Sequence, residues 1–418
     1  MMETHSFRRS VYVIGAILAG IVAAVVPQIH FGHRAGESTG IGPQIGIISS
    51  PSTSADGLRQ RIGDMERRLR EHPGDSVAAA MLADALLREA RATNDSRPAG
   101  RAAEVLKAVL HEAPGQYDAL RMLGAIYLSQ HRFREALEAA RHARDLRPHD
   151  AWNYGVMGDA LIELGEYDNA FDAFDRMMST RPSSAAYARV AYGRELRGDL
   201  GGAIEAMGMA EQATPGQDAE ARAWYAAQLG ELYLRLGELD EADREYRRAA
   251  FAFPNYPHAM IGQGKVKAAR GDFDGALVVY LEQLKRTSTL DLAARIGDIY
   301  AERGDSQESE RYYQLAEDLA GPTAVQTEAN LALFLAEHDR KLADAVRIAE
   351  AVAATRHDIF TEDALAWAYY KAGRLEEAFA VSQRALRTGT RDERILAHAA
   401  RIRHAVATNA APDLETQS

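Results

Sequence analysis

Apolar and small residues recur along this chain with a helical period, and that pattern itself repeats about every 34 residues from about Ser76 to Asp392. One small residue marks the same position in nine successive segments: Ala83, Gly124, Gly158, Ala191, Gly230, Gly264, Gly297, Ala332 and Ala366. From Gly124 onward the intervals are 34, 33, 39, 34, 33, 35 and 34 residues. A fixed period of this length predicts a stacked array of helical hairpins. A second small residue follows twelve positions later, as Ala136, Ala170, Ala203, Ala242, Ala276, Ser309 and Ala378. Two small positions, one in each helix of a pair, let antiparallel helices approach closely while larger neighbours fill the grooves. Three residues after the first landmark lies Tyr127, Leu161, Tyr233, Tyr300, Leu335 or Tyr369, on the same helical face.

Turn chemistry supports the same division. Gly165, Gly237 and Gly373 fall between the paired helices, where a left-handed helix cap favours glycine. Pro114, Pro148, Pro182, Pro215 and Pro254 close the second helices, because proline cannot continue a helix.

This set resembles the tetratricopeptide repeat family, whose pattern runs Leu-Gly-x-x-Tyr, then Gly, Ala, an aromatic, Ala and Pro. Residues 117–150 match through Leu123, Gly124, Tyr127, Ala136, Ala143 and Pro148. Residues 223–256 match through Leu229, Gly230, Tyr233, Gly237, Ala242, Tyr246, Ala249 and Pro254. The resemblance covers about three quarters of the chain and implies an all-α, right-handed superhelical solenoid of about nine repeats over residues 76–392. Leu58, Ile62, Met65 and Leu69 predict a capping helix within residues 58–75, and Ile395, Leu396, Ala399 and Ile402 predict another over 393–407. The tail, 408–418, is polar.

Several positions depart from the pattern. Arg194 and Lys267 stand where an aromatic is usual, so those repeats are expected to pack less tightly. An insertion of about seven residues around Ala92–Gly100 is expected to lengthen the first turn, and an extra stretch at Pro215–Gln217 to bend the array. Both read as tolerated loop changes, which chain entropy penalises little.

The formal charge is −11 with no long basic run in the repeats, which argues against nucleic-acid binding. The absence of cysteine removes disulfides, thiol catalysis and cysteine-ligated metal. Residues 1–10 carry Arg8 and Arg9, followed by sixteen uncharged, mostly apolar residues from Val11 to Val26. Extended through Phe31, the segment 11–31 reads as a membrane signal-anchor, with a cleaved signal peptide as the alternative. The arginine pair would hold the N-terminus in the cytoplasm. The array then lies on the far side, the periplasm in a diderm bacterium, tethered by the Gly/Ser/Pro-rich stretch 32–57 or exported free after cleavage.

Candidate chemistry is sparse. Gly40, Gly42 and Gly46 lie in the tether, outside the strand–helix context that a dinucleotide fingerprint requires. Thirteen histidines are scattered without a metal-binding spacing, and no catalytic, cofactor or metal residues are assigned. The resemblance implies that the first helices line a concave surface. It places Trp152, Asp159, Tyr192, Trp224, Glu231, Arg235, Lys265, Asp298, Trp367 and Tyr370 on that inner strip. Exposed aromatics interspersed with charge suit recognition of an extended segment of another protein; the other reading of the tryptophans is packing between repeats. The expected function is a non-catalytic scaffold in envelope assembly, secretion or biogenesis. Self-association of the solenoid and presentation of substrate within an enzyme complex are the alternatives.

Overall fold

The structure, a computed structural model, describes residues 55–93, 95, 97–320 and 329–409. The expected N-terminal anchor, most of the tether and all but the first two residues of the polar tail lie outside them. The described residues are 81% helical and form 20 helices, with no strands among them. No helix among the described residues is long and apolar enough to cross a membrane.

A leading helix, α1 (Ala55–Glu71), precedes nine hairpins. These are α2 (Ser76–Thr93) with α3 (Arg97–Glu112), α4 (Tyr117–Ser129) with α5 (Phe133–Leu146), and α6 (Ala151–Glu163) with α7 (Tyr167–Thr180). Next come α8 (Ser184–Leu196) with α9 (Leu200–Gln212), α10 (Ala219–Arg235) with α11 (Leu239–Ala252), and α12 (Pro257–Ala269) with α13 (Phe273–Arg286). The last are α14 (Leu290–Glu302) with α15 (Ser306–Ala320), α16 (Ala329–Glu337) with α17 (Leu342–Ala353), and α18 (Ile359–Lys371) with α19 (Leu375–Ala385). A closing helix, α20 (Glu393–Asn409), follows.

Local rules set the boundaries. Six first helices open on a side chain that accepts an otherwise orphaned backbone N–H: Asp75, Asp150, Ser183, Asp218, Thr289 and Asp358. The intra-repeat turns at Gly165, Gly237 and Gly373 have φ of 75°, 76° and 79°, the left-handed conformation the sequence predicts. His131 and Asp339 hold the equivalent position in two other turns, with φ of 58° and 54°. Every first-landmark alanine and every second-landmark residue is buried. The close approach is plainest at Tyr246, whose ring lies against both Gly230 of its own repeat and Gly262 of the next. A Cβ on Gly230 would come within 2.7 Å of that ring, so bulk is divided between neighbouring helices as the landmarks require. Arg194 and Lys267 reach the following turn, bonding the Gly202 carbonyl at 2.8 Å and the Asp272 carboxylate at 3.0 Å.

At both irregular joins a first helix is extended. The insertion within the first repeat does not lengthen its turn: α2 runs unbroken to Thr93 and α3 begins at Arg97. Pro98 sits in the first turn of α3, where its missing N–H costs nothing. Likewise α10 begins at Ala219, earlier than the repeat period requires, on the Asp218 cap. Extra residues became extra helix because each extension finds a partner, and that partner is the other extension. Arg88 bonds Asp84 at 3.1 Å and Asp218 at 3.0 Å. Arg91 bonds Glu220 at 2.8 and 2.5 Å. All five side chains are buried.

A second junction joins the C-terminal repeat to the turns of earlier ones. The backbone N–H of His357 donates to the Glu163 carbonyl at 2.8 Å, and that of Ile359 donates to the Tyr167 hydroxyl at 2.8 Å. Arg356 bridges Glu163 and Asp358, each at 2.7 Å. Ile359, Phe360, Ala385 and Ile395 are continuous with the core of the early repeats. The array therefore winds until its successive turns touch.

Candidate functional site, an inner strip closed by the array itself

The ten residues expected on the inner strip all lie on first helices, where six are buried and Glu231, Arg235, Asp298 and Tyr370 are half-buried. Trp152, Trp224 and Trp367 are each only 4% exposed, which corrects the expectation of exposed aromatics. The cause is packing against neighbouring repeats. The Trp152 indole N–H donates to the Arg121 carbonyl at 3.2 Å, and the Arg121 guanidinium lies 4.8 Å from the ring centre. Trp367 stacks on His398 of α20 at 3.9 Å and on Tyr370 at 4.8 Å. Trp224 meets Tyr225 edge-on at 4.9 Å.

The charges are committed in the same way. Asp159 pairs with Arg189 at 2.6 Å, and burial raises its carboxyl pKa against the pull of that arginine. Glu231 pairs with Lys265 at 2.6 Å; the lysine is 1% exposed, and burial lowers its pKa despite Glu231. Arg235 reaches Glu195 at 2.9 Å and Asp392 at 3.5 Å. Asp298 accepts from the Tyr313 hydroxyl at 2.9 Å and lies 2.8 Å from His338 Nε2. Buried charges of this kind persist only when partnered.

Asp159, Tyr192 and Trp224 come together around an enclosed cavity of about 20 Å³, with Arg189, Glu195, Met207 and Gln228. The Trp224 indole N–H has no hydrogen-bond partner there. That volume suits one water rather than a peptide. Trp152 shares a core cluster with Tyr192, Trp224 lies in a second, and Trp367 with Tyr370 lies in a third.

At the second junction, burial and the nearby Asp358 oppose the pull of Arg356 and push the Glu163 carboxyl up to about 8. The residues that sequence reasoning missed are these closing pairs: Arg88, Arg91, Asp218, Glu220, Glu163, Arg356 and Asp358. Each charge is ordinary on a helix surface when read alone, but four of the seven sit at or beside the two irregular joins. No group of three or more acidic or histidine side chains that could hold a metal ion occurs among the described residues.

A different concavity lies at an outer edge. Gly216, Ala219, Arg222 and Ala226 face Asp240, Asp243, Arg244, Arg247, Arg248, Phe251 and Ala252 across an open cleft of about 750 Å³, with Glu211 at its margin. Phe251 is 90% exposed.

The tetratricopeptide repeat profile matches residues 221–255, the α10–α11 hairpin. The "Cellulose synthase 1 operon protein C" of Komagataeibacter xylinus is 26% identical over 279 residues. That match covers 61% of this chain and 20% of the relative, so this chain spans only a small part of that protein's length. Among solved structures, the human IFIT1 dimer with PPP-AAAA aligns with a TM-score of 0.51 at 15% identity, covering 79% of this chain and 78% of that one. Yeast Tom70 aligns with a TM-score of 0.45 at 12% identity, covering 87% and 88%. Matched repeat, landmark spacing and nine stacked hairpins agree: residues 221–255 form a tetratricopeptide repeat, and the hairpins on either side of it share its architecture.

Proposed function

We propose that this chain is a non-catalytic scaffold that holds another protein. The observation that carries this reading is the division of its surfaces. Inner polar groups are tied to one another, while an outer edge of the repeat array offers an exposed aromatic among arginines, the residue types that anchor protein interfaces. The likeness to a cellulose synthase operon protein, together with the apolar segment 11–31, supports a place beside a membrane in an envelope-associated assembly, the array lying outside the cytoplasm.

The expected grip on an extended segment along Trp152, Asp159, Tyr192, Trp224, Glu231, Arg235, Lys265, Asp298, Trp367 and Tyr370 is kept as a second mode. It requires the junction at Arg356 to part. What favours it is the composition of that junction, in which the charged Arg356, Glu163 and Asp358 stand beside the apolar contact of Ile359 and Phe360.

The test is photo-crosslinking of the full chain in its own cells, with a photoreactive residue in place of Phe251, of Val278 or of Trp224. Adducts to one other protein from an outer position support the scaffold. Adducts only between copies of this chain would replace it with self-assembly. Adducts from Trp224 alone would move the grip to the inner strip.

A further inference from the structure

We propose that the cleft between the α10 extension and α11 is a docking site for an acidic linear segment of a partner protein that carries a large apolar side chain. The proposal rests on the scaffold reading and adds the place and the chemistry of the contact.

The cleft exists because of the irregular join. Gly216, Ala219 and Arg222 belong to the extra residues that start α10 early, and they form the wall facing α11. The apolar rim is also particular to this repeat. At the register of Phe251 the other second helices carry Asp145, Ser179, Gln212, Lys285, Asp318 and Arg387. Only this repeat, among the seven with the second landmark, presents an aromatic there, and at 90% exposure its ring contributes little to the fold. Ala219, Ala226 and Ala252 supply small apolar lining into which a partner side chain can descend.

Charge selects the sign of the occupant. The cleft's carboxylates are already engaged: Glu211 with Arg248, Asp243 with Arg247 at 2.6 Å, and Asp240 with Arg270. The Arg222 side chain is exposed and makes no hydrogen bond or ion pair among the described residues. Arg244 has a single loose contact, to Glu241 at 3.6 Å. In a chain of net charge −11 the cleft thus keeps cationic capacity unspent beside an unspent apolar surface. Guanidinium groups bind carboxylates through paired N–H donors, and an aromatic beside them gives a segment both an anchor and a direction. A volume of about 750 Å³ accommodates one large side chain with its flanking backbone.

The experiment uses the full chain and fluorescein-labelled decapeptides, read by anisotropy. One set places phenylalanine or leucine between aspartate and glutamate residues; the control keeps the core and replaces the acids with lysine. The expected result is saturable binding of an acidic peptide, weakened at least about tenfold by Arg222→Glu and by Phe251→Ser. Val278→Ser, which changes a 70% exposed apolar residue of α13 outside the cleft lining, should leave binding unchanged. All three positions are exposed, and thermal melts confirm that the variants are folded. Equal binding of the lysine peptides, unaltered binding by both cleft variants, or no saturable binding overturns the proposal. Acidic peptides that bind only after removal of residues 410–418 also overturn it, because the occupant would then be this chain's own Asp413-Leu414-Glu415. A partner still captured from other positions while every peptide fails would leave the scaffold and remove this site.

Discussion

His131 occupies the turn between α4 and α5 with φ of 58°, where most equivalent turns have glycine, and its Nδ1 is buried without a partner. Burial, and then the nearby Arg356, lower its pKa from 6.5 to about 4, with Asp358 opposing. A histidine whose folded pKa is depressed favours the folded state fully above the unfolded pKa. That contribution is lost as pH falls from about 6.5 towards about 4, because the unfolded chain takes up the proton first. His131→Asn keeps a residue that tolerates positive φ and removes the titration. The variant should lose about 1–2 kcal/mol less stability than the parent between neutral pH and about pH 5, measured by denaturant unfolding at each pH. Parallel pH profiles for the two proteins would show that His131 does not titrate across this range. The same residue marks a limit of pattern reading: the turn is visible at its position, but the guanidinium facing it comes from Arg356, more than two hundred residues along the chain.

Helices were the most legible level, because each hairpin is specified by residues within one period. Gly124, Gly158, Gly230 and Gly264 mark the close contacts of first helices, and Pro148, Pro182 and Pro254 follow the ends of second helices. The insertions around Ala92–Gly100 and Pro215–Gln217 were legible as departures and opaque in meaning. Local propensity allows helix or loop there, and the choice is made by Arg88 and Arg91 meeting Asp218 and Glu220 about 130 residues away. The ten residues expected on the inner strip all lie on first helices, yet their cover comes from neighbouring repeats and from α20, which no single repeat encodes. Arg88→Met tests the element-scale account. It removes the partner of buried Asp84 and Asp218, and leaving such charges uncompensated costs about 3–5 kcal/mol. In urea melts, Arg88→Met combined with Asp218→Asn should cost clearly less than the two single changes added together. Strict additivity would mean that the extensions are adjacent without being coupled.

At the scale of the molecule, the two junctions change how the array should respond to damage. An open solenoid is held by nearest-neighbour contacts, so a change in its last repeat disturbs only the adjoining one. Here Arg356 and Ile359 of the last repeat bond Glu163 and Tyr167 in the α6–α7 turn, the Arg387 guanidinium lies 5.0 Å from the Tyr167 ring centre, and Asp392 reaches Arg235. Arg356→Ala leaves Glu163 and Asp358 facing each other without their shared cation, both of them buried. Local opening is governed by the contacts a segment keeps, so amide exchange is the direct readout. The variant should speed exchange in peptides covering the turns at 129–133 and 163–167, while peptides in α12 and α13 keep their protection. Faster exchange confined to α16–α18 would describe an open array with independent ends. Loss of protection at the distant turns would instead establish the closed superhelix, and it would supply the motion by which the inner strip, with Asp159, Tyr192 and Trp224 at its centre, could be uncovered for a partner.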